Sequence, residues 1–331
     1  MSSETAFGTR LLAYSARRLA QAVPLVLVVV IINFFLIHAA PGDPVDMLLG
    51  GMDTDPEFQA QMRRELGLDQ PLWVQLWTYV SNMARLDLGY SFRFRQDVGA
   101  LIMSRLPASL LLMGTSFVIS VSFGILLGVV AAYRAGGLLE RLLTGLTLSG
   151  YSMPVFWLGQ LMLLVFAVGL GWFPIQGMVS LRTTSVGFDR VIDVAHHLAL
   201  PALTYSVYQL TLIYRLTRVK MRETLSREFV KSARARGLSE LRVVFRHAFP
   251  NAMLPVVTVM GLHVGHMLAG SVLTETVFAW PGLGRLMYEA IGARDFPLLL
   301  GLFTCISVAV IVANVVTDVI YAFIDPRVVY S

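Results

Sequence analysis

RLTRVKMRETLSREFVKSARARGLSELRVVFRHAFPNAMLP, residues Arg215 to Pro255, lies between two long apolar runs. Its ten arginines and lysines outweigh three glutamates, a net +7 that exceeds the +5 of the whole chain. The rest of the molecule is therefore close to neutral or slightly acidic. The pattern predicts two short helices joined at Gly237-Leu238-Ser239, a helical elbow. Glycine can take the positive φ that ends a helix, and serine can cap the next one.

Composition sets the setting of this elbow. With 331 residues, 56% hydrophobic and only 14% charged, and a mean hydropathy of +0.68, the chain is too apolar for a soluble domain and too long for a single anchor. It reads as an all-α integral membrane protein with six spans. One cysteine, Cys305, leaves no disulfide or cysteine-based metal cluster to build. A pI near 9.5 would suggest nucleic acid in a soluble protein. Here the surplus sits in one loop between spans, and topology accounts for it without nucleic acid.

Residues 1–18 carry Arg10, Arg17 and Arg18 and precede a first apolar run, 19–40. A cleaved signal peptide is the rival reading, but the run is longer than such segments usually are. Residues 41–106 form a long extracytoplasmic loop. It holds one predicted helix starting at Asp55-Pro56-Glu57 and stopping at Gly67, and a second opened by Pro71. The second puts Trp73, Leu76, Trp77, Val80 and Met83 or Ala84 on one stripe, which either lies on the outer membrane surface or packs on neighbouring spans.

The core, 107–323, holds five more spans: 107–133, 142–170, 198–214, 252–272 and 297–323. The coupling loop, 215–251, lies within it, and 324–331 is the C-terminal tail. Gly124 and Gly128, and Gly261 and Gly265, have spacings that allow close helix contact. Pro154 permits a kink in the third span, and Trp172 to His197 reads as a polar outer segment. Six spans put both termini on one side, and the basic short loops make that side cytoplasmic.

The dipeptide, oligopeptide and nickel branch of ABC-transporter permease subunits has cytoplasmic loops of the form A-R-A-x-G-L-S followed by H-A-x-x-N-A-x-x-P. This chain resembles them through Ala233-Arg234-Ala235-Arg236-Gly237-Leu238-Ser239, His247-Ala248, Asn251-Ala252 and Pro255. Against the more general EAA-loop pattern only Ala233, Gly237 and Pro250 match outright. Within the branch's own pattern a proline at 250 is a departure, and it is read as sharpening the end of the second elbow helix. The resemblance extends to Pro41-Gly42-Asp43-Pro44, Ser152-Met153-Pro154, Trp172-Phe173-Pro174, Thr274 to Arg285 and Asp325-Pro326-Arg327, nearly the whole chain.

It implies a type I ABC importer permease fold in a bacterial or archaeal inner membrane. It also implies a second homologous permease subunit, two cytoplasmic ATPase subunits, an extracytoplasmic solute-binding protein and a surrounding lipid membrane as partners. Peptides or a nickel chelate would be the cargo. The elbow would couple to an ATPase through Ala233, Arg234, Arg236, Gly237, Leu238, Ser239, His247, Pro250 and Asn251. Glu275, Trp280, Pro281, Gly282 and Arg285 would form a gate or a binding-protein contact.

A phosphate-binding loop of the GxxxxGK[ST] type is absent: the only lysines, Lys220 and Lys231, each follow a valine. The chain is therefore no ATPase by that route, and ATP and Mg would be used by partner subunits. It also needs no cofactor or catalytic metal of its own. Met260, His263, His266 and Met267 share a face of the fifth span and either touch a soft or borderline metal in the pathway or bond between helices. Asp318, with Asn314 a turn earlier, is read as an inter-helix or interfacial group. An ion-coupled secondary transporter is the alternative, but no internal repeat or paired mid-span carboxylates support it. A membrane-bound enzyme would need a catalytic set that is not visible.

Overall fold

The structure, a computed structural model, describes residues 2–39, 55–65, 67–91, 93–180 and 186–324. Pro41 to Pro44 and Asp325 to Arg327, two stretches of the resemblance, lie outside them. The elements are α1 (Ser2–His38), α2 (Pro56–Glu65), α3 (Leu72–Ala84), a small antiparallel hairpin of β1 (Tyr90–Ser91) and β2 (Gln96–Asp97), α4 (Val98–Tyr133), α5 (Leu138–Ser152) and α6 (Val155–Gly169). Then come α7 (Phe188–Leu225), α8 (Glu228–Ala235), α9 (residues 240–270), α10 (Val272–Val277), α11 (Leu283–Ala293) and α12 (Phe296–Ile324). The described fold is thus helical apart from one two-residue ladder.

The chain divides into two compact units, Met1–Pro107 with Gly282–Ser331, and Ala108–Pro281. In the first, α1 and α12 pack together. The outer loop behaves as its punctuation predicts: Pro56 opens α2 and Gly67 closes it at φ +66. Helix α3 is fastened to the long helices by His38 Nε2 to Gln75 Oε1 (3.2 Å) and by the Tyr79 and Thr304 hydroxyls (3.0 Å). Its apolar stripe is split, however. Leu76 and Met83 are half-buried, whereas Trp73 and Trp77 are each 73% exposed, so packing on the described spans does not account for them.

The start of α4 forms this unit's core with α11 and α12 through Val98, Ile102, Leu286, Leu298 and Leu302. A Cβ on Gly301 would stand 2.5 Å from Val98 Cγ1, which is why only glycine fits there. Buried Asp295 accepts bonds from Ser91 Oγ (2.5 Å) and the Leu298 amide (3.2 Å), tying the hairpin to the free amides at the start of α12.

The second unit is organised around α7. Helix α4 meets it so closely that a Cβ on Gly124 would lie 2.9 Å from Ile213 Cβ, and one on Gly128 2.7 Å from Thr217 Cβ. The predicted close-packing pair is therefore a real contact. Helix α5 is joined to α7 along a seam: Gly150 faces Val207, the Thr211 hydroxyl donates to Thr147 O (2.9 Å), and the Thr144 and Tyr214 hydroxyls are 2.7 Å apart.

Several boundaries differ from the expectation, each for a local reason. The helix that carries the second span begins at Val98, because Pro107 is absorbed inside it rather than starting it. The third, expected over 142–170 with a kink permitted at Pro154, breaks after Ser152 into α5 and α6, bent by 106°. Met153 is driven to extended ψ 134 by the proline ring that follows, and Pro154 has no N–H to continue the ladder. The outer segment is helical from Phe188 onward. Outside the membrane, the Ser180 amide and hydroxyl bond the Asp193 carboxylate and hold its pKa below the ordinary value.

Pro250 does not end the second elbow helix. It lies in the first turn of the helical stretch Phe249–Gly270, after a π segment, Val243–Ala248. The wider turn makes room for a ring that an unbroken α-helix would not take. That helix is long rather than short.

Among the described residues four helical stretches are long and apolar enough to cross a membrane: Ala16–Leu36, Val98–Tyr133, Glu240–Gly261 and Phe296–Thr317. The bent pair Leu138–Ser152 and Val155–Gly169 makes a fifth if it counts as one span. The fourth expected crossing, 198–214, lies inside α7 but is too polar to join them, with Thr204, Tyr205, Ser206, Tyr208, Gln209, Thr211 and Tyr214 along it.

Candidate functional site

The elbow is built by burial on one side and charge on the other. Val230 and Ala233 of α8 are wholly buried against Met221, Val243, Val244 and Ala248. Taking one valine out of water contributes about 2 kcal/mol, enough to hold a two-turn helix that would not form alone. Ala233 is fully enclosed in that cluster, which gives its match to the family pattern a packing reason.

Gly237 takes φ +76 and ends α8 in the left-handed region, as predicted. Ser239 stands at the cap position of α9 with extended backbone, but its side chain makes no capping bond. The elbow is instead clamped across its tip by Arg234, whose Nε and Nη2 donate to Glu240 Oε1 and Oε2 at 2.8 and 3.3 Å. This bidentate pair bridges six residues, from the end of α8 to the start of α9.

The outward side carries Arg227, Arg236, Arg242 and Arg246, together with apolar residues that the basic pattern does not single out. Leu241 is 73% exposed, Phe245 54% and Phe229 39%. Leu241 and Phe245 are four apart, a spacing that marks them as one face only once their buried neighbours Val243 and Val244 are recognised as the inner one. Leu238 is half-buried against the inner cluster, and His247 is half-buried beside exposed Pro250 and Asn251. Asn251 Nδ2 donates to His247 O (2.9 Å), an internal bond of the helix.

Above the elbow Arg218 donates to Glu140 Oε1 (2.9 Å) and Thr144 Oγ1 (3.2 Å), and Glu140 Oε2 accepts from the Gly136 amide (2.6 Å). This pair fixes the turn between α4 and α5 to α7. Its partners are 78 residues apart, and no local signal in the sequence connects them.

The segment Thr274 to Trp280 turns inward within its unit. Glu275 is completely buried and accepts from the Ser109 and Ser271 hydroxyls at 2.6 and 2.9 Å. Trp280, also fully buried, donates from Nε1 to Ala108 O (2.8 Å) and packs on Leu112, Leu198 and Ala202. Ala279 takes φ +50 to make the turn. Pro281 is half-buried, Gly282 buried, and Arg285 pairs with Glu289 at 2.8 Å. Glu275 and Trp280 are thus placed as internal struts of this unit.

Of the methionine and histidine face, Met260 packs partly against the elbow cluster and Met267 is buried with Met113 and Tyr205. The side chains of His263, His266 and Asp318 lie outside the described residues.

Two sequence families match. Residues 124–330 match the family described as binding-protein-dependent transport system inner membrane component, and residues 11–113 match the N-terminal domain described for the same systems. The chain belongs to this family. It is therefore a type I ABC importer permease in fold and an inner-membrane transport component, not itself catalytic, that works with a binding protein and an ATPase.

It is 39% identical over 332 residues to the di/tripeptide transport system permease protein DppB of Pseudomonas aeruginosa, covering 96% of this chain and 99% of that one. It is 37% identical over 335 residues to the dipeptide transport system permease protein DppB of Escherichia coli, with the same coverage. Among solved structures, the inward-facing MetNI methionine ABC transporter aligns with a TM-score of 0.55 at 16% identity, over 68% of this chain and 96% of that one. That likeness speaks to the fold.

Proposed function

We propose that this chain forms one half of the translocation pathway of an ATP-driven peptide importer. It pairs with a second homologous permease, two cytoplasmic ATPases that use ATP and Mg, and an extracytoplasmic binding protein that selects the cargo. Both termini and the basic elbow face the cytoplasm. The observation that carries the reading is the elbow: a rigidly packed scaffold presenting Leu241, Phe245 and Phe229 among exposed arginines. Apolar anchors ringed by charge suit insertion into a groove of a protein partner better than a lipid surface alone. Because α8 and the start of α9 share a core with α4 and α7, a displacement at the tip moves those helices as a body. Closure of the ATPases would then be converted into the change between inward-open and outward-open states.

The cargo reading draws on the two peptide permeases above. Purification tests the whole proposal: the ATPases should co-purify with this chain, and uptake in vesicles should require them. Uptake by this chain alone, driven by an ion gradient, would overturn it.

A nickel chelate is the other cargo of the resembling branch, and His263 and His266 are the candidate contacts for it, with bonding between helices as their other role. His263→Ala with His266→Ala is expected to slow nickel uptake severalfold while leaving peptide uptake unchanged if those side chains touch metal. Unchanged nickel uptake retires that role.

A further inference from the structure

We infer that Tyr151 and Tyr208 form a subsite for the peptide cargo inside the membrane, an inference that rests on the peptide-importer reading above. Along the seam between α5 and α7 several polar groups are buried: Thr147 is 8% exposed, Thr211 1% and Tyr214 0%. The tyrosine pair is far more open. Its rings stack with centroids 4.6 Å apart and planes 18° from parallel, and its hydroxyls are 3.2 Å from each other. Yet Tyr151 is 38% and Tyr208 51% exposed.

With the bent pair and 198–214 read as the third and fourth crossings of the importer, both residues stand near the middle of theirs. Tyr151 precedes the break at Pro154 by three residues, and Tyr208 sits midway in 198–214. Hydroxyls presented at that depth cannot face hydrocarbon cheaply; such groups face a water-filled cavity or another protein surface. The hydroxyl separation is long for an O–H···O bond, so the pair can exchange its mutual bond for one to a ligand.

What meets the exposed pair is indicated by charge. Arg215 is exposed on the same stripe of α7, seven residues on, a rise of about 10 Å. That is about the span of an extended peptide of two or three residues. The geometry suits a zwitterionic peptide whose carboxylate meets Arg215 while its amide or side chain lies against the tyrosines. Lipid tails offer nothing to either group. This also explains why 198–214 of α7 is less apolar than the four crossing stretches: it faces the cargo.

The test uses the complete transporter with its binding protein in vesicles, and dialanine as probe. Wild-type uptake of dialanine is measured first; its absence would sink the peptide-importer reading and this subsite with it. With uptake established, Tyr208→Cys is made in a Cys305→Ser background and treated with a charged methanethiosulfonate. The thiol is expected to react, and to react severalfold more slowly while dialanine is being transported. No reaction would mean that the second permease or lipid covers the pair, and a rate indifferent to dialanine would mean that no peptide passes it. Either sinks the subsite while leaving the importer reading standing. Tyr151→Phe with Tyr208→Phe keeps the stack and should raise the KM for dialanine about fivefold with subunit assembly unchanged. An unaltered KM overturns the inference.

Discussion

Gly237→Asp is expected to leave the chain folded, inserted and assembled while uptake falls to a few per cent and ATP turnover no longer responds to cargo. Strain and charge can be separated at this position. Gly237 holds φ +76, where a side chain costs about 1 kcal/mol, and aspartate is among the residues that tolerate this region best. A Cβ built there meets nothing within 4 Å, so no packing is disturbed. What changes is the surface. A negative charge appears at the tip of a segment whose net charge is +7, next to the Arg234–Glu240 clamp and among the arginines that flank Leu241 and Phe245. Uptake and ATP hydrolysis measured together in vesicles check the result. Gly237→Ala carries the same backbone strain without the charge and should retain most uptake. Normal uptake by the aspartate variant would remove the elbow from the coupling path.

The elbow is legible in the amino-acid sequence because its signals are local. A glycine between two basic amphipathic stretches dictates a helix end, and the φ found at Gly237 is what the residue type predicts. Pro56, Gly67 and Pro71 punctuate the outer loop for the same reason. Decisions made by tertiary contact leave no such local mark. Pro154 and Pro250 are both prolines near apolar runs, yet one breaks a span by 106° and the other rides inside a continuous helix behind a π turn. The ring removes one hydrogen bond in each case, and packing decides whether the helix bends or widens. Likewise the roles of Glu275 and Trp280 as buried struts depend on Ser109 and Ala108, 166 and 172 residues away along the chain. The family resemblance covers the fold class and the transport system, whereas exposure at Leu241 and Phe245 and the stacking of the tyrosine pair emerge only from the packed helices.

The close-packing glycines give the second large effect. A G-x-x-x-G spacing in a glycine-rich chain is weak evidence, and the geometry is what makes it strong. At Gly128 a Cβ would stand 2.7 Å from Thr217 Cβ and 2.9 Å from the Tyr214 carbonyl oxygen. The second of these is backbone, so no rotamer change relieves it, and Thr217 is itself completely buried. Gly128→Ala must therefore push α4 away from α7, at a cost of about 1–3 kcal/mol, and Gly128→Leu should leave little folded protein. Gly114 offers the control within the same helix: a Cβ there meets nothing within 4 Å, and Gly114→Ala should be neutral or slightly stabilising. Thermal unfolding of the purified protein in detergent distinguishes the two. The consequence reaches function, because the α7 face that Gly128 touches continues directly into Met221 and the elbow core. Separating α4 from α7 would loosen the scaffold that transmits force from the elbow. Gly128→Ala should then lose coupling at temperatures where the protein is still folded. Equal stability of the two alanine variants would show that α4 and α7 are not in this contact.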